Sequence, residues 1–310
     1  MKWRTEVKVS ENPGYISYKD SILSIGSCFS DEIGRKLSDG GFNISVNPFG
    51  VIFNPVSILQ LVQNALEGNL REELIFERDM KWFHFGYHSK INGVSKEDLI
   101  SNINSAQYAA QRKLLEGDHL FITLGSAWVY RLQQQNAVVA NCHKMPSPLF
   151  VKELIELEKL KVFSDELFKK LFEQNPKIKV LVTVSPVRHS KDGLHENNLS
   201  KAVLHLYAKY LTDQFTNIHY FPAYEFVVDE LRDYRFFKED LVHPSQQAVD
   251  FVFDKFKYSH FNEGTLKRFE LMERLKRAQL HHFMNATIEE VTKHEQHIQQ
   301  LKEQLEKMDK

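Results

Sequence analysis

Two short segments near opposite ends of this 310-residue chain carry side chains able to do nucleophilic chemistry. The first is Ile25-Gly26-Ser27-Cys28-Phe29, which follows the apolar run Ile22-Leu23-Ser24-Ile25 and precedes the acidic stretch Ser30-Asp31-Glu32-Ile33. This order predicts a strand that ends in a glycine turn, with a hydroxyl and a thiol at the mouth of a helix. Backbone N–H groups there lower the pKa of a thiol and can hold a developing oxyanion. The second segment is Asp240-Leu241-Val242-His243-Pro244, where a carboxylate precedes a histidine by three residues and a proline opens the next helix. Such a histidine accepts a nucleophile's proton, while the aspartate fixes its tautomer and stabilises the imidazolium. The two ends of the chain read as nucleophile and base.

The elements that must position them follow from turn signals and apolar periodicity. After the first strand and helix, Gly40-Gly41 closes the helix and Ile44-Ser45-Val46 reads as a short strand. A turn-rich loop with two Asn-Pro steps, Asn47-Pro48 and Asn54-Pro55, leads to a helix over 56–66. The aromatic stretch 74–91 alternates and reads as a hairpin-like insertion. A helix is expected over 96–115, a buried strand over 121–125, and a second hairpin over 129–139 around Gln134-Gln135-Asn136. A long helix over 151–172, a strand over 178–184, a helix over 200–215, a strand over 220–223 and a last core helix over 244–256 complete the pattern. Short β-branched strands alternating with helices predict an α/β, doubly wound parallel sheet. Its site lies outside the carboxyl ends of the strands. The loops 26–29, 47–54, 125–128 and 185–189 occupy that edge, and His243 has to join them.

Residues 1–262 are expected to form this domain and 263–310 a helical tail. From Leu266 onward there is no proline, and Met284, Val291, Ile298 and Leu305 recur as a heptad, with Leu301 and Met308 three further on. Thr287 and His294 interrupt it. One reading is a coiled coil that pairs two copies into a homodimer; the other is an amphipathic helix that packs on its own domain or lies in solvent.

Bulk properties narrow the field. An apolar share of 42% and a charged share of 26% are those of a soluble globular protein. The net charge of -1 gives no global electrostatic reason to expect nucleic acid or an anionic membrane as partner. Two cysteines, Cys28 and Cys142, make no disulfide framework and suit a reducing compartment. No apolar stretch follows the charged start Met1-Lys2-Trp3-Arg4, and no run approaches the roughly 18 apolar residues of a membrane span. A cytoplasmic location is the expectation.

Gly26-Ser27-Cys28-Phe29-Ser30 resembles the Gly-Ser-Cys-Phe-Ala signature of the GSCFA family, which is grouped with the SGNH/GDSL hydrolase-like fold. The resemblance covers roughly 21–258. It includes Asn47-Pro48-Phe49-Gly50, Leu124-Gly125-Ser126-Ala127-Trp128, Asn141-Cys142-His143-Lys144, Ser185-Pro186-Val187-Arg188-His189 and Asp240-Leu241-Val242-His243-Pro244-Ser245. Ser30 stands where the signature has Ala, a small-for-small exchange. The resemblance implies a three-layer SGNH/flavodoxin-like sheet with hairpin insertions. In the SGNH pattern the nucleophile lies two residues after the glycine, which puts Cys28 on it and leaves Ser27 as the alternative. Asp240 and His243 meet the base block. Gly50 and the Cys28 N–H fall on the oxyanion donors, but the position of the third-block asparagine is Ala127, so Asn141 or His143 would have to stand in.

Arg188, His189 and Ser126 lie on the active edge as substrate-binding residues. An arginine there binds a carboxylate, a phosphate or a sugar hydroxyl, or else pairs with Asp192 or Glu196. Trp82, Phe83, Phe85 and Tyr87 could stack a sugar ring or form a minor core. The implied activity is that of an esterase or acyltransferase acting on an ester or thioester of a small or carbohydrate-like substrate, with acetyl-CoA as one conceivable acyl donor. No cofactor is called for. His84 with His88, and His281 with His282, lack a carboxylate or cysteine at ligand spacing and read as exposed histidines rather than a metal site. The competing reading is an inactive scaffold whose helical tail binds partners.

Overall fold

The computed structural model describes residues 4–281, 283 and 287–308; the Asp192 side chain, Met284 and His282 lie outside what it describes. The core is a five-stranded, all-parallel sheet in the order β10-β9-β5-β1-β2. Its strands are β1 (Ser21–Gly26), β2 (Asn43–Val46), β5 (His119–Leu124), β9 (Lys179–Val184) and β10 (Ile218–Tyr220). Successive side chains of a strand point to opposite faces. Leu23, Ile25, Leu120, Ile122, Val180 and Val182 accordingly face one core, packed by α2 (Pro55–Glu67), α3 (Lys96–Glu116), α4 (Leu157–Gln174) and α5 (Leu194–Gln214). Ile22, Phe121 and Leu181 face a second core, covered by α1 (Cys28–Asp39) and α7 (Gln246–His260). Burial on both faces is why these strands read as continuous apolar runs. The architecture is a doubly wound three-layer α/β fold of flavodoxin-like strand order. The order reverses between β1 and β5, which opens a crevice beyond their carboxyl ends.

The insertions are small antiparallel sheets. β3 (Ile75–Arg78) pairs with β4 (Lys81–His84), and β6 (Trp128–Leu132) pairs with β7 (Ala137–Val139). The helix expected over 151–172 begins only at Leu157; Phe150–Leu154 is instead strand β8, antiparallel to β6, with Lys152 opposite Tyr130. Pairing with an open strand edge overrides the helical pattern there, as strand formation depends on cross-strand neighbours more than on intrinsic preference. Strand β10 ends at Tyr220, just before Pro222, whose missing N–H cannot extend a ladder. A short turn, α6 (Ala223–Glu225), runs on into a π-helical turn over Phe226–Leu231.

Phe76 stacks on Phe85 with ring centroids 4.1 Å apart, and with Leu74, Leu132 and Val139 they form a minor core under the hairpins. His84 is buried rather than exposed: its Nε2–H donates to the Arg71 carbonyl and its Nδ1 accepts from the Gly86 N–H. In the tail, α8 (Glu263–Gln279) packs Phe269 against Phe42, Phe253 and Phe261. Helix α9 (Ile288–Met308) returns along α8, and Leu301 and Leu305 of the heptad stripe are buried with Leu275. Among the described residues no helix is long and apolar enough to cross a membrane.

Candidate active site

The nucleophile turn is built by close approach. Gly26, the last residue of β1, lies so near β5 that a Cβ would run into the Thr123 backbone, and the next N–H, that of Ser27, donates to the Thr123 carbonyl at 3.1 Å. Asn47, at the end of β2, braces the turn: its Oδ1 accepts from the Gly26 N–H at 2.8 Å and its Nδ2 donates to Asp31 at 2.6 Å. Ser27 is the N-cap of α1, but its side chain is fully buried and its Oγ has no hydrogen-bond partner among the described residues. Cys28 is the first helical residue. It is half-buried and lines a cleft of about 480 Å³ at the β1/β5 crevice.

His243 reaches the same cleft from the loop before α7. The Cys28 Sγ is 3.6 Å from His243 Nε2, and His243 Nδ1 is 2.7 Å from Asp240 Oδ2. The other Asp240 oxygen accepts the N–H groups of Val242 and His243, each at 2.9 Å, so the carboxylate grips its own loop. Those bonds, with the His243 N–H foremost, hold the Asp240 carboxyl down at about 2. With the Nδ1 proton donated to this carboxylate, Nε2 presents its lone pair to the thiol. Two ties from outside fix the loop: the Arg188 N–H donates to the Val242 carbonyl at 3.0 Å, and the Lys238 N–H to the His243 carbonyl at 2.7 Å.

The electrostatics correct one expectation. Burial pushes the Cys28 thiol up, and Asp31 and Glu32 add to this; its own backbone N–H and Lys238 pull only part of the way back. The net direction is upward, against the lowering expected at a helix N-terminus.

The remaining expected site residues separate into two groups. Gly50 sits at φ 77°, where a Cβ would strike His88, and its N–H already donates to the Asn47 carbonyl at 2.8 Å. That corrects its assignment as an oxyanion donor. His143 is also removed from the chemistry: its ring is buried among Phe76, Phe83 and Phe85, its Nε2–H donates to the His84 carbonyl at 3.1 Å, and burial holds it neutral, down at about 4. Asn141 does line the cleft, with its Oδ1 accepting the His143 N–H at 2.7 Å. Ser126, Arg188 and His189 line the cleft as well. The Ser126 Oγ accepts from the Trp128 N–H at 3.1 Å, and the His189 ring meets Phe53 edge-on at 5.7 Å.

Two residues escaped the sequence reading. Asn54, which lines the cleft, caps α2 through its Oδ1, which accepts the Ser57 N–H at 2.7 Å; its Nδ2 donates one proton to the Val139 carbonyl at 3.4 Å and has a second. Lys201 is buried in α5, where its Nζ donates to the carbonyls of Gly125 and Ser185 at 2.7 Å each. It thereby ties together the chain just beyond β5 and β9. Burial lowers it to about 7, against a small upward pull from Cys28. The available signal was that Asn197, Ser200 and Lys201 continue the buried Leu204–Tyr207–Ala208–Leu211 face of α5 as its polar first turns.

The chain belongs to the GSCFA family, whose family model matches residues 21–256. No curated protein matches it in sequence. Among solved structures it is similar to a candidate platelet activating factor from Streptococcus pneumonia, at 11% identity and a TM-score of 0.40, over 77% of this chain and 84% of that one. It is also similar to a carbohydrate esterase family 3 protein from Talaromyces cellulolyticus, at 8% identity and a TM-score of 0.37, over 82% of this chain and 99% of that one.

Proposed function

We propose that the protein transfers acyl groups through Cys28, His243 and Asp240, as an SGNH-type esterase or acyltransferase acting on an ester or thioester. The observation that carries this reading is the unbroken relay of Cys28 Sγ, His243 Nε2, His243 Nδ1 and Asp240 Oδ2 at 3.6 Å and 2.7 Å, open to a cleft. As Cys28 attacks the acyl carbonyl, its proton passes to His243 Nε2, and Asp240 stabilises the imidazolium. The bond from the carbonyl carbon to the leaving oxygen or sulfur then breaks, and the leaving group takes the proton from His243. Water or a hydroxyl acceptor, giving its proton to His243, attacks the resulting thioester; the Cys28 sulfur leaves and is reprotonated. The Cys28 N–H, in the first turn of α1, and the Asn54 Nδ2 are the donors assigned to the oxyanion, in place of Gly50.

The test is steady-state turnover of para-nitrophenyl acetate and an acetyl thioester by the wild type, Cys28→Ala and His243→Ala. Loss of turnover in both variants supports the reading. Equal rates in all three proteins, or none in the wild type, would sink it in favour of a scaffold that keeps the fold without the activity.

A further inference from the structure

Arg188 lines both the Cys28 cleft and an adjoining hollow of about 210 Å³. It rests over the rings of Tyr234 and Phe237, at 5.5 Å and 5.6 Å from their centroids. A cation held over aromatic faces in this way keeps its N–H donors available for other partners. Among the described residues no carboxylate pairs with the guanidinium, Glu196 included; the Asp192 side chain lies outside them. Among the described residues the one acid lining the hollow, Asp233, is already held by Arg235, which donates to one oxygen from its side chain at 3.0 Å and to the other from its backbone at 2.9 Å. Arg232 adds a second positive charge to the same hollow. The Arg188 N–H donates to the Val242 carbonyl, which ties its backbone to the His243 loop. A half-buried guanidinium beside a thiol, with no carboxylate partner among the described residues, is an arrangement that recognises planar or tetrahedral oxyanions.

We infer that Arg188 selects substrates bearing an anionic group, a carboxylate or a phosphate, seated where the Cys28 cleft meets the Tyr234/Phe237 hollow. The inference rests on the acyl-transfer reading, and its test separates the two. Wild-type kcat/KM is compared within two matched pairs: para-nitrophenyl acetate against para-nitrophenyl hemisuccinate, and the acetyl thioester of N-acetylcysteamine against acetyl-CoA. A charge-assisted pair predicts a preference of roughly ten- to hundredfold for an anionic member, mainly in KM. A gain with hemisuccinate places a carboxylate on the acyl side; a gain with acetyl-CoA places a phosphate on the leaving side. Arg188→Gln should erase the preference and Arg188→Lys restore part of it, with a thermal melt confirming that both are folded. Turnover that depends on Cys28 but shows no preference in either pair overturns the inference and leaves acyl transfer standing. If no ester is turned over, acyl transfer fails, and protection of Cys28 from iodoacetamide decides the role of Arg188. Slower labelling in the presence of succinate or inorganic phosphate, lost in Arg188→Gln, upholds the anion site; no protection in the wild type overturns it.

Discussion

The molecule holds two cysteine–histidine neighbourhoods, and they were made differently. Cys142 and His143 are sequence neighbours, whereas Cys28 and His243 lie 215 positions apart and are joined only by the fold. Both thiols border the same cleft, and burial raises both, Cys142 to about 11. The direction of the shift therefore does not distinguish them. The histidines do. His143 turns its Nε2 toward a backbone carbonyl inside an aromatic cluster and is held neutral, while His243 turns Nε2 toward a thiol and keeps a carboxylate behind Nδ1. The comparison teaches that what sets the two thiols apart is an oriented histidine with a carboxylate behind it, and not adjacency in sequence.

The largest expected effect sharpens that contrast. Cys28→Ala should lower ester turnover on the order of a thousandfold or more, because the covalent route is lost. Cys142→Ala should stay within about twofold on the same assay. A comparable loss in both would place chemistry at the second thiol and break the comparison.

Next come the histidines. His243→Ala should cost roughly a hundred- to ten-thousandfold in kcat, the range for a removed general base. Asp240→Asn should cost less, since this carboxylate is 48% exposed and water can partly replace it. His143→Ala should instead leave kcat per folded molecule near wild type and lower the melting temperature, as its ring fills a packed aromatic pocket. A normal melt with lost activity would reverse the roles.

Acid should act on the buried histidines first. Burial holds His84, His143 and His260 down at about 4, against about 6.5 for an unfolded histidine. Between those values the unfolded chain binds more protons than the folded one, so stability falls as the pH drops from about 6.5 toward 4. Asp240, held at about 2, stays ionised throughout that window. Urea melts at pH 7 and pH 5 check this; an unchanged stability would mean that these rings already carry their protons in the folded state.

A smaller effect concerns the thiol itself. With burial as the dominant influence, the pH midpoint for Cys28 alkylation should lie above the ~8.5 of a free thiol. A midpoint near 6 would restore the resting thiolate that the helix N-terminus suggests. The smallest change is expected for Ser27→Ala, within a few-fold in activity and neutral in stability, since the buried Oγ makes no hydrogen bond among the described residues.

How far the sequence could be read depended on whether the signal was local. The parallel strands were legible because residues such as Ile22–Ile25 and Phe121–Leu124 are buried on both faces and read as unbroken apolar runs. Strand β8 was not, since its strand character comes from β6 across the edge and nothing within 150–154 announces it. That Cys28, His243 and Asp240 meet was legible through residue types at turn-and-helix boundaries and through the register of the family resemblance. Loss of the Gly50 N–H to Asn47 and the burial of His143 were not, because both depend on tertiary contacts. Lys201 was hidden for the opposite reason: a lysine on a helix reads as solvated, and only the convergence of two carbonyls beyond β5 and β9 makes a buried one tolerable.

The most direct measurement is intact-protein mass spectrometry after incubation with an activated acetyl ester, on the wild type, Cys28→Ala, Cys142→Ala, Ser27→Ala and His243→Ala. An acetyl-sized adduct that is absent only in Cys28→Ala, and forms slowly in His243→Ala, is the predicted result. An adduct that survives in Cys28→Ala and vanishes in Ser27→Ala or Cys142→Ala would contradict the account.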